Sequence, residues 1–216
     1  KFIPRNGHIT EERIDAECRI QSSIHHPYIM PVNSIFDLNS KQPYRVIEMP
    51  HASFALADMH AENLFSCVDP IFKIMYQVTQ AVSFLHNIRV LHGDLNPRNI
   101  VLMNNNKNEL IPQIIDFGHA CQFNNSKRNQ DDNNNSDNYC KCNLITPSFS
   151  APEQLLRKPH SFPSDIWSLG ATFYFFITGA NAVINNDNFA LMVQMANNLN
   201  LSYCTKFGYM HTKWVP

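Results

Sequence analysis

The stretch that decides the fold is His92-Gly93-Asp94-Leu95-Asn96-Pro97-Arg98-Asn99, which is followed farther along by Ile114-Ile115-Asp116-Phe117-Gly118. This pattern predicts a turn after a helix, and then a hairpin whose second strand ends at Asp116. The side chains of Asp94, Asn99 and Asp116 would then lie on neighbouring loops. Carboxylate and carboxamide oxygens are hard ligands that suit Mg²⁺. The arrangement therefore favours a site that holds a divalent metal and a phosphoryl donor beside a hydroxyl group.

The sequence on either side of this turn predicts two core helices. Asp69-Pro70 predicts a helix start, because Pro is favoured at the first helical position. Apolar residues then recur with a period near 3.6 at Ile71, Ile74, Met75, Val78, Val82 and Leu85. Farther on, Pro163-Ser164-Asp165 predicts the start of a second helix. Its residues from Ile166 to Ile177 are almost wholly apolar, so we expect it to be buried all round.

Length and composition restrict the class of protein. The chain has 216 residues, 44% of them apolar, which suffices for one large domain or two small lobes. The net charge of −1 gives no strong field that would favour nucleic acid or an anionic membrane. The apolar run from Ala171 to Ile177 is far too short to span a bilayer. The first residue is Lys1 rather than Met, which indicates a segment of a longer protein.

The cysteines are scattered along the chain, at Cys18, Cys67, Cys121, Cys140, Cys142 and Cys204. A chain of this size does not need disulfides in order to fold, so we expect reduced thiols and a cytoplasmic location, with the nucleus as the alternative. Cys140 and Cys142 could bind a metal together with Cys121. No second pair at zinc-ligand spacing accompanies them, however, which favours ordinary loop thiols.

In these motifs the chain resembles the eukaryotic protein kinases. Their catalytic loop has the pattern H-R-D-x-x-x-x-N and their metal loop the pattern D-F-G. Further kinase-like motifs follow in order at Thr146-Pro147, at Ser150-Ala151-Pro152-Glu153 and at Ser164-Asp165-Ile166-Trp167-Ser168-Leu169-Gly170. The resemblance fades after Gly179. It implies an α+β, two-lobed kinase-like fold with a small, partial, β-rich N-lobe and a mainly α-helical C-lobe.

The same resemblance implies where the lobes divide. Residues 1–49 would form part of the N-lobe, and residues 50–216 would form the C-lobe. The glycine-rich phosphate loop of the family would precede Lys1. Residues near 122–139 are rich in Asn, Asp and Ser, and they cannot bury enough apolar surface to offset the entropy of ordering. We therefore expect disorder in that part of the activation segment.

The resemblance also implies a role for each polar residue of the two loops. Asp94 would orient the substrate hydroxyl and accept its proton, Asn99 would bind one Mg²⁺ ion, and Asp116 would bind metal beside the phosphates of ATP. His92 would be structural, and Asp165 would accept backbone N–H groups of the catalytic loop. The implied activity is transfer of the ATP γ-phosphate to Ser or Thr of a protein substrate, because the Thr of the Thr-Pro motif is typical of enzymes with that preference.

Two residues near the N-terminus would complete the phosphate site. Lys1 would be the phosphate-binding lysine of the family, and the alternative is an ordinary surface lysine. Thr10-Glu11-Glu12 predicts a helix start, with a hydroxyl cap followed by acids. Glu17 on this helix would pair with Lys1 and hold it on the phosphates, and the alternative is a solvated helix acid. Such an ion pair would serve orientation more than stability.

Strands are predicted at Ile29 to Phe36 and at Tyr44 to Met49. The second resembles the last N-lobe strand where it runs into the hinge of the family. The backbone of Glu48 and Met49 would hydrogen-bond the adenine of ATP, and Ile47 would lie at the back of that pocket. A plain edge strand is the alternative, because backbone contacts leave no signature in the side chains.

Two departures from the family pattern keep other functions open. Gly93 replaces the Arg that reads a phosphate on the activation segment, which indicates that this mode of switching is absent. Asn96 replaces a Lys near the γ-phosphate, and loss of that cation should raise the barrier to transfer. A pseudokinase or scaffold is therefore a second hypothesis. A small-molecule kinase of the aminoglycoside or choline type is a third, although those enzymes lack the Ala151-Pro152-Glu153 motif.

Overall fold

The computed structural model describes residues 1–5, 7, 9–58, 69–105, 107, 109–123, 140 and 145–182. Most of the segment predicted to be disordered, near 122–139, and the part of the chain beyond residue 182 lie outside the described residues. Within this range, Gln122 belongs to a short strand and Phe123 is buried.

The first three strands form an antiparallel sheet in the order β1-β3-β2. Strand β1 spans Phe2–Pro4, β2 spans Ser34–Leu38 and β3 spans Tyr44–Glu48. Strand β2 begins later than predicted, and Ile29 makes only an isolated bridge to a distant strand. Pro31 explains the later start, because it has no N–H to donate to a strand ladder.

Helix α1 spans Glu11–Ser23 and packs against this sheet. Thr10 caps it as predicted, with its side chain accepting a hydrogen bond from the backbone N–H of Arg13. The face of α1 that meets the sheet is apolar, and it forms a small core with Ile3, Ile14, Cys18 and Ile47. Burial of this face fixes which side chains of α1 point toward the rest of the chain.

The second half of the described chain is built on two long helices. Helix α2 spans Asp69–Asn87, and helix α4 spans Phe162–Thr178. A short helix, α3, spans Pro152–Leu155. Helix α4 is not buried all round, contrary to the prediction, because Ile166, Tyr174 and Ile177 remain exposed. Only the face of α4 that meets α2 and the turn from His92 to Asn99 lies in the core.

Two small sheets position the loops between these helices. Strands β4 (Phe54–Ala55), β6 (Ile100–Asn104) and β7 (Leu110–Ile114) pair in the order β4-β6-β7. Strand β5 (Val90–Leu91) pairs with β8 (Cys121–Gln122). The hairpin of β6 and β7 therefore lies between the turn that follows β5 and the loop that precedes β8. No helix of the described ranges is both long and apolar enough to cross a membrane.

Two cysteines are paired, which differs from the reduced thiols expected. Cys121 and Cys140 form a disulfide with a Cα–Cα distance of 6.1 Å. Cys121 lies opposite Leu91 in the β5–β8 pair, and Cys140 bridges to His160. These two backbone pairings bring Cys121 and Cys140 into one small apolar cluster with Leu91 and Phe123. The pairings, rather than the spacing of the cysteines in the sequence, place the two thiols side by side. Cys18 is a free, buried thiol, as expected.

Candidate active site

The catalytic turn runs from His92 to Asn99, between β5 and β6. Its second half is a short 3₁₀ helix, Pro97–Asn99, which Asn96 caps by accepting a hydrogen bond from Arg98 N at 2.9 Å. Pro at the start of the 3₁₀ helix has the backbone φ angle that this position requires. The local sequence therefore turns the chain back toward Asp94 before strand β6 begins.

Asp165, at the start of α4, fixes the first half of the turn. It is 1% exposed, and its carboxylate accepts hydrogen bonds from the backbone N–H groups of His92 and Gly93, each at 2.9 Å. His86, at the end of α2, lies 2.9 Å from the same carboxylate. Because a buried carboxylate without partners would be costly, these contacts tie both long helices to the catalytic turn.

The carboxylate of Asp94 is surrounded by hydrogen-bond donors. Its Oδ1 accepts the hydroxyl of Thr146 at 2.6 Å, and its Oδ2 accepts the amides of Asn96 and Asn99, both at 2.9 Å. The Nδ1 of His119 lies 3.5 Å from Oδ2. Burial alone would raise the pKa of Asp94, but the contacts with His119 and Thr146 outweigh burial and hold the pKa below its usual value. Asp94 is thus kept ionised, as a proton acceptor must be.

The loop Asp116-Phe117-Gly118, called the metal loop after its counterpart in the family, lies directly beside this turn. Ile115 N donates to the carbonyl of Asn99 at 2.9 Å, which joins the loop to the 3₁₀ helix. Asp116 has a positive φ of 65°, an uncommon conformation for a residue other than Gly, and its Oδ1 accepts the N–H of Gly118 at 3.1 Å. Asp94, Asn99 and Asp116 therefore lie on adjoining loops. Asn99 contacts Asp94 directly, and the backbone of Ile115, next to Asp116, is hydrogen-bonded to that of Asn99.

Lys1 joins the N-terminal sheet to the metal loop. Its Nζ lies 2.5 Å from Glu17 Oε1 and 2.7 Å from Asp116 Oδ1. Burial alone would lower the pKa of Lys1, but the two carboxylates outweigh burial and raise it. Burial raises the pKa of Glu17, and Lys1 only partly opposes that effect. Burial would likewise raise the pKa of Asp116, but Lys1 holds it below its usual value. The amine of Lys1 is therefore a fixed positive charge beside Asp116.

Helix α1 makes a second contact with the metal loop. Arg13 Nε donates to the carbonyl of Gly118 at 2.9 Å. Arg13 and Glu17 are four residues apart, so they lie on the same face of α1. A Cβ atom on Gly118 would lie 3.0 Å from Asp116 Oδ1 and 3.2 Å from Glu17 Oε2, so a larger residue would fit only if these carboxylates shifted by a few tenths of an ångström. Helix α1 is thus joined to the metal loop directly by Arg13 and indirectly by Glu17, which acts through Lys1.

The predicted adenine-binding residues lie at the end of β3. Ile47 is fully buried, and its backbone pairs with that of Lys1 through hydrogen bonds of 2.8 and 2.9 Å. The carbonyl of Glu48 accepts the N–H of Asn33 at 2.8 Å, so this acceptor already takes part in strand pairing. Met49 packs beside the small core of the N-terminal sheet. The carbonyl of Glu48 keeps a second lone pair, so both backbone candidates stay open.

The donor groups of the site fit a magnesium-bound nucleotide. The amide nitrogen of Asn99 donates to Asp94, so its oxygen is the group left to bind a metal, and Asp116 supplies a carboxylate. Within the described residues, no group of three or more His, Cys, Asp or Glu side chains could hold a metal ion. Mg²⁺ commonly takes one or two protein ligands and fills its other positions with phosphate oxygens and water, and Asn99 and Asp116 could supply two such ligands.

Two residues of the site were not found from the sequence. His119 directly follows the Asp-Phe-Gly motif, and that position was the available signal. Arg13 precedes Glu17 by one helical turn, which places it on the face that was predicted to meet the phosphate site. The pairing of Lys1 with both Glu17 and Asp116 also goes beyond the single ion pair that was expected.

Comparison with known proteins agrees with this geometry. Over residues 1–213 the chain matches the family model described as the protein kinase domain. It is 30% identical over 173 residues to the serine/threonine-protein kinase polo of Drosophila melanogaster, which covers 80% of this chain and 27% of polo. It is 31% identical over 160 residues to ribosomal protein S6 kinase alpha-1 of Rattus norvegicus, which covers 74% of this chain and 20% of that kinase.

A third relative is a titin homolog of Caenorhabditis elegans, which is 24% identical over 188 residues, or 87% of this chain and 1% of the relative. The chain thus spans about a quarter or less of the length of these curated relatives. The α+β fold, the small antiparallel N-lobe sheet and the order of the motifs agree with the family match. The chain belongs to the protein kinase domain family.

Proposed function

We propose that this chain is the phosphate-transferring domain of an ATP- and Mg²⁺-dependent protein serine/threonine kinase. The observation that carries the proposal is the position of Lys1, whose amine contacts Glu17 and Asp116 at 2.5 and 2.7 Å. These three residues come from a strand, a helix and a loop that are far apart in sequence. Convergence of one cation and two acids beside Asn99 is what the binding of a metal-bound triphosphate requires.

Each residue would contribute a separate physical effect. Glu17 orients Lys1, and Lys1 binds the phosphates of the nucleotide. Asn99 and Asp116 bind Mg²⁺, which when present neutralises charge on the transferred phosphoryl group. Asp94 orients the hydroxyl of the substrate and accepts its proton. The backbone of Glu48 and Met49 would hydrogen-bond the adenine, and the buried side chain of Ile47 would lie at the back of that pocket.

Thr146 supports a Ser or Thr acceptor in a protein substrate. Its hydroxyl donates to Asp94 at 2.6 Å and also lies 3.4 Å from the amide of Asn96. The segment that carries Thr146 is therefore bound to the proton acceptor itself. A peptide positioned by this segment would present its hydroxyl beside Asp94.

The contact of Asn96 with Asp94 favours a second candidate, a pseudokinase that binds nucleotide or a partner without efficient transfer. Asn96 donates a neutral amide to Asp94 at 2.9 Å, at a position where the family commonly has a lysine. A neutral amide preserves the hydrogen bond but supplies no positive charge to the transferred phosphoryl group. Measured transfer separates the two candidates.

The experiment is a transfer assay with the full-length protein, using ATP labelled in the γ-phosphate and casein as a Ser- and Thr-containing acceptor. We expect Asp94→Asn to lower kcat by about 10²-fold or more, because the proton acceptor is lost. Nucleotide affinity should change by less than about threefold, since Asp94 does not bind the phosphates.

Asp15→Asn is the matched control, because it makes the same change on the exposed face of α1. It should leave kcat and nucleotide affinity unchanged. A full-length protein that retains its transfer rate after Asp94→Asn would remove Asp94 from the mechanism. A wild-type protein that binds ATP but transfers no phosphate would favour the pseudokinase.

A further inference from the structure

His119 lies at the centre of the site, yet none of the roles proposed above uses it. Its Nδ1 is 3.5 Å from Oδ2 of Asp94, and the two side chains are only 22% and 14% exposed. His119 reaches Asp94 from the segment that follows the metal loop, whereas Asn96 and Asn99 reach it from the catalytic turn itself. The carboxylate is therefore held from two sides.

Gly93 brings the backbone of His119 close to the catalytic turn. A Cβ atom on Gly93 would lie 2.6 Å from the carbonyl oxygen of His119, closer than real Cβ contacts. Gly93 also has a φ of +81°, which a residue with a side chain rarely adopts. The replacement of the usual Arg by Gly93 and the approach of His119 to Asp94 are thus parts of one local arrangement.

Neighbouring contacts fix the segment that carries His119. Arg13 holds the carbonyl of Gly118, the residue just before it, at 2.9 Å. Ala120, the residue just after it, donates its N–H to the carbonyl of Phe117 at 3.0 Å. The backbone from which the imidazole extends is therefore fixed on both sides. Asn96 and Asn99 contact Oδ2 of Asp94 through their side-chain amides, and the imidazole of His119 adds a third contact to the same oxygen.

We propose that His119 is a positioning residue that holds the Asp94 carboxylate in the orientation needed to accept the proton of the substrate hydroxyl. The proposal rests on the proposed function, since positioning matters for the rate only if phosphate is transferred. His119 touches neither the nucleotide nor the metal in this role. It acts through Asp94, by contacting Oδ2 and so restricting rotation of the carboxylate.

The first test is kinetic and uses the full-length protein. His119→Leu, which removes the polar contact, should lower kcat by about tenfold and leave KM for ATP within about twofold, because misplacement of a catalytic group affects the chemical step. His119→Asn, whose amide nitrogen can occupy the position of Nδ1, should restore at least half of the lost rate. His25→Leu changes an exposed histidine on another loop and serves as the matched control.

The second test does not depend on transfer. The side-chain amides of Asn96 and Asn99 both donate to Oδ2 of Asp94, so their ¹H–¹⁵N resonances report the position of the carboxylate. We expect His119→Leu to shift both resonances, His119→Asn to restore them, and His25→Leu to leave them unchanged. If His119→Leu lowers the melting temperature by more than about 5 °C, His119→Ala replaces it in both tests.

The proposal is overturned if His119→Leu keeps kcat within twofold of wild type, or if His119→Asn is as slow as His119→Leu, which would assign the residue to packing alone. A wild-type protein that transfers no phosphate would contradict the proposed function. In that case the amide resonances alone decide whether His119 positions Asp94, and unchanged resonances in His119→Leu overturn the proposal.

Discussion

Gly93 shows how one residue can set the geometry of two loops. Its N–H binds Asp165 at 2.9 Å, its carbonyl accepts the side chain of Gln154 at 3.0 Å, and its missing Cβ makes room for His119. Among the described residues other than Gly, only Arg89, Asp116 and Arg157 share a positive φ. Strain of this kind persists only where surrounding contacts enforce it.

We predict that Gly93→Ala destabilises the protein by about 2 kcal/mol, because the methyl group requires both a left-handed backbone and a shift of the His119 carbonyl. The melting temperature should fall by roughly 4–8 °C, measured by differential scanning calorimetry. Gly170→Ala is the control, since Gly170 lies inside α4 with no described atom within 4 Å of its added Cβ.

Gly170→Ala should be neutral or should raise stability by up to about 1 kcal/mol, because Ala favours helix more than Gly does. Equal melting temperatures for Gly93→Ala and Gly170→Ala would show that the close approach of His119 to the catalytic turn is not real.

At the scale of elements, helix α1 holds the residues around Asp116 in place. Its inner face carries Arg13, which holds Gly118, and Glu17, which holds Lys1. Its outer face carries Asp15, which pairs with Arg45 of β3 at 3.0 Å. Lys1 is fixed to β3 by its backbone, so a shift of α1 away from the sheet would separate Glu17 from Lys1 and pull Arg13 away from Gly118. The position of this helix is therefore coupled to the arrangement of Lys1 and Asp116.

We predict that Glu17→Gln lowers kcat by at least about tenfold, because Lys1 loses the partner that orients it toward the phosphates. The melting temperature should change by less than about 2 °C, since Gln preserves the shape of the side chain and burial already disfavours the charge of Glu17. Steady-state kinetics and thermal unfolding measure the two effects. Glu12→Gln, on the exposed face of the same helix, is the control and should change neither kcat nor the melting temperature. A Glu17→Gln enzyme with kcat within twofold of wild type would contradict the role of Glu17 in orienting Lys1.

At the scale of the whole molecule, the fold was predictable where sequence patterns are local. The period of apolar residues from Ile71 to Leu85 predicted the core helix, and the hydroxyl of Thr10 followed by two acids predicted the start of α1. Strand β2 was predicted five residues too early, because Pro31 interrupts an otherwise strand-like pattern. The exposed face of α4 was missed, because composition alone does not show which neighbours cover a helix.

The site was predictable only in part, because some of its contacts depend on packing between elements that are distant in sequence. Motif spacing identified Asp94, Asn99 and Asp116, and the predicted pairing of Lys1 with Glu17 agrees with the distance of 2.5 Å between them. The contacts of His119 and Arg13 with the two loops depend on tertiary packing between separate elements, which leaves no fixed spacing in the sequence. The Cys121–Cys140 disulfide depends in the same way on the pairing of β5 with β8 and of Cys140 with His160.

The central claim is that Asp94, Asn99 and Asp116 lie around one magnesium-bound nucleotide, and isothermal titration calorimetry with a non-hydrolysable ATP analogue tests it most directly. Mg²⁺ should raise the affinity of the wild-type protein about tenfold or more, since Asn99 and Asp116 would hold the metal and the metal would offset the charge of the nucleotide. Asp116→Asn should lose that gain, and Asp94→Asn should keep it. Equal affinity of the wild-type protein with and without Mg²⁺, or a full gain in Asp116→Asn, would contradict the account.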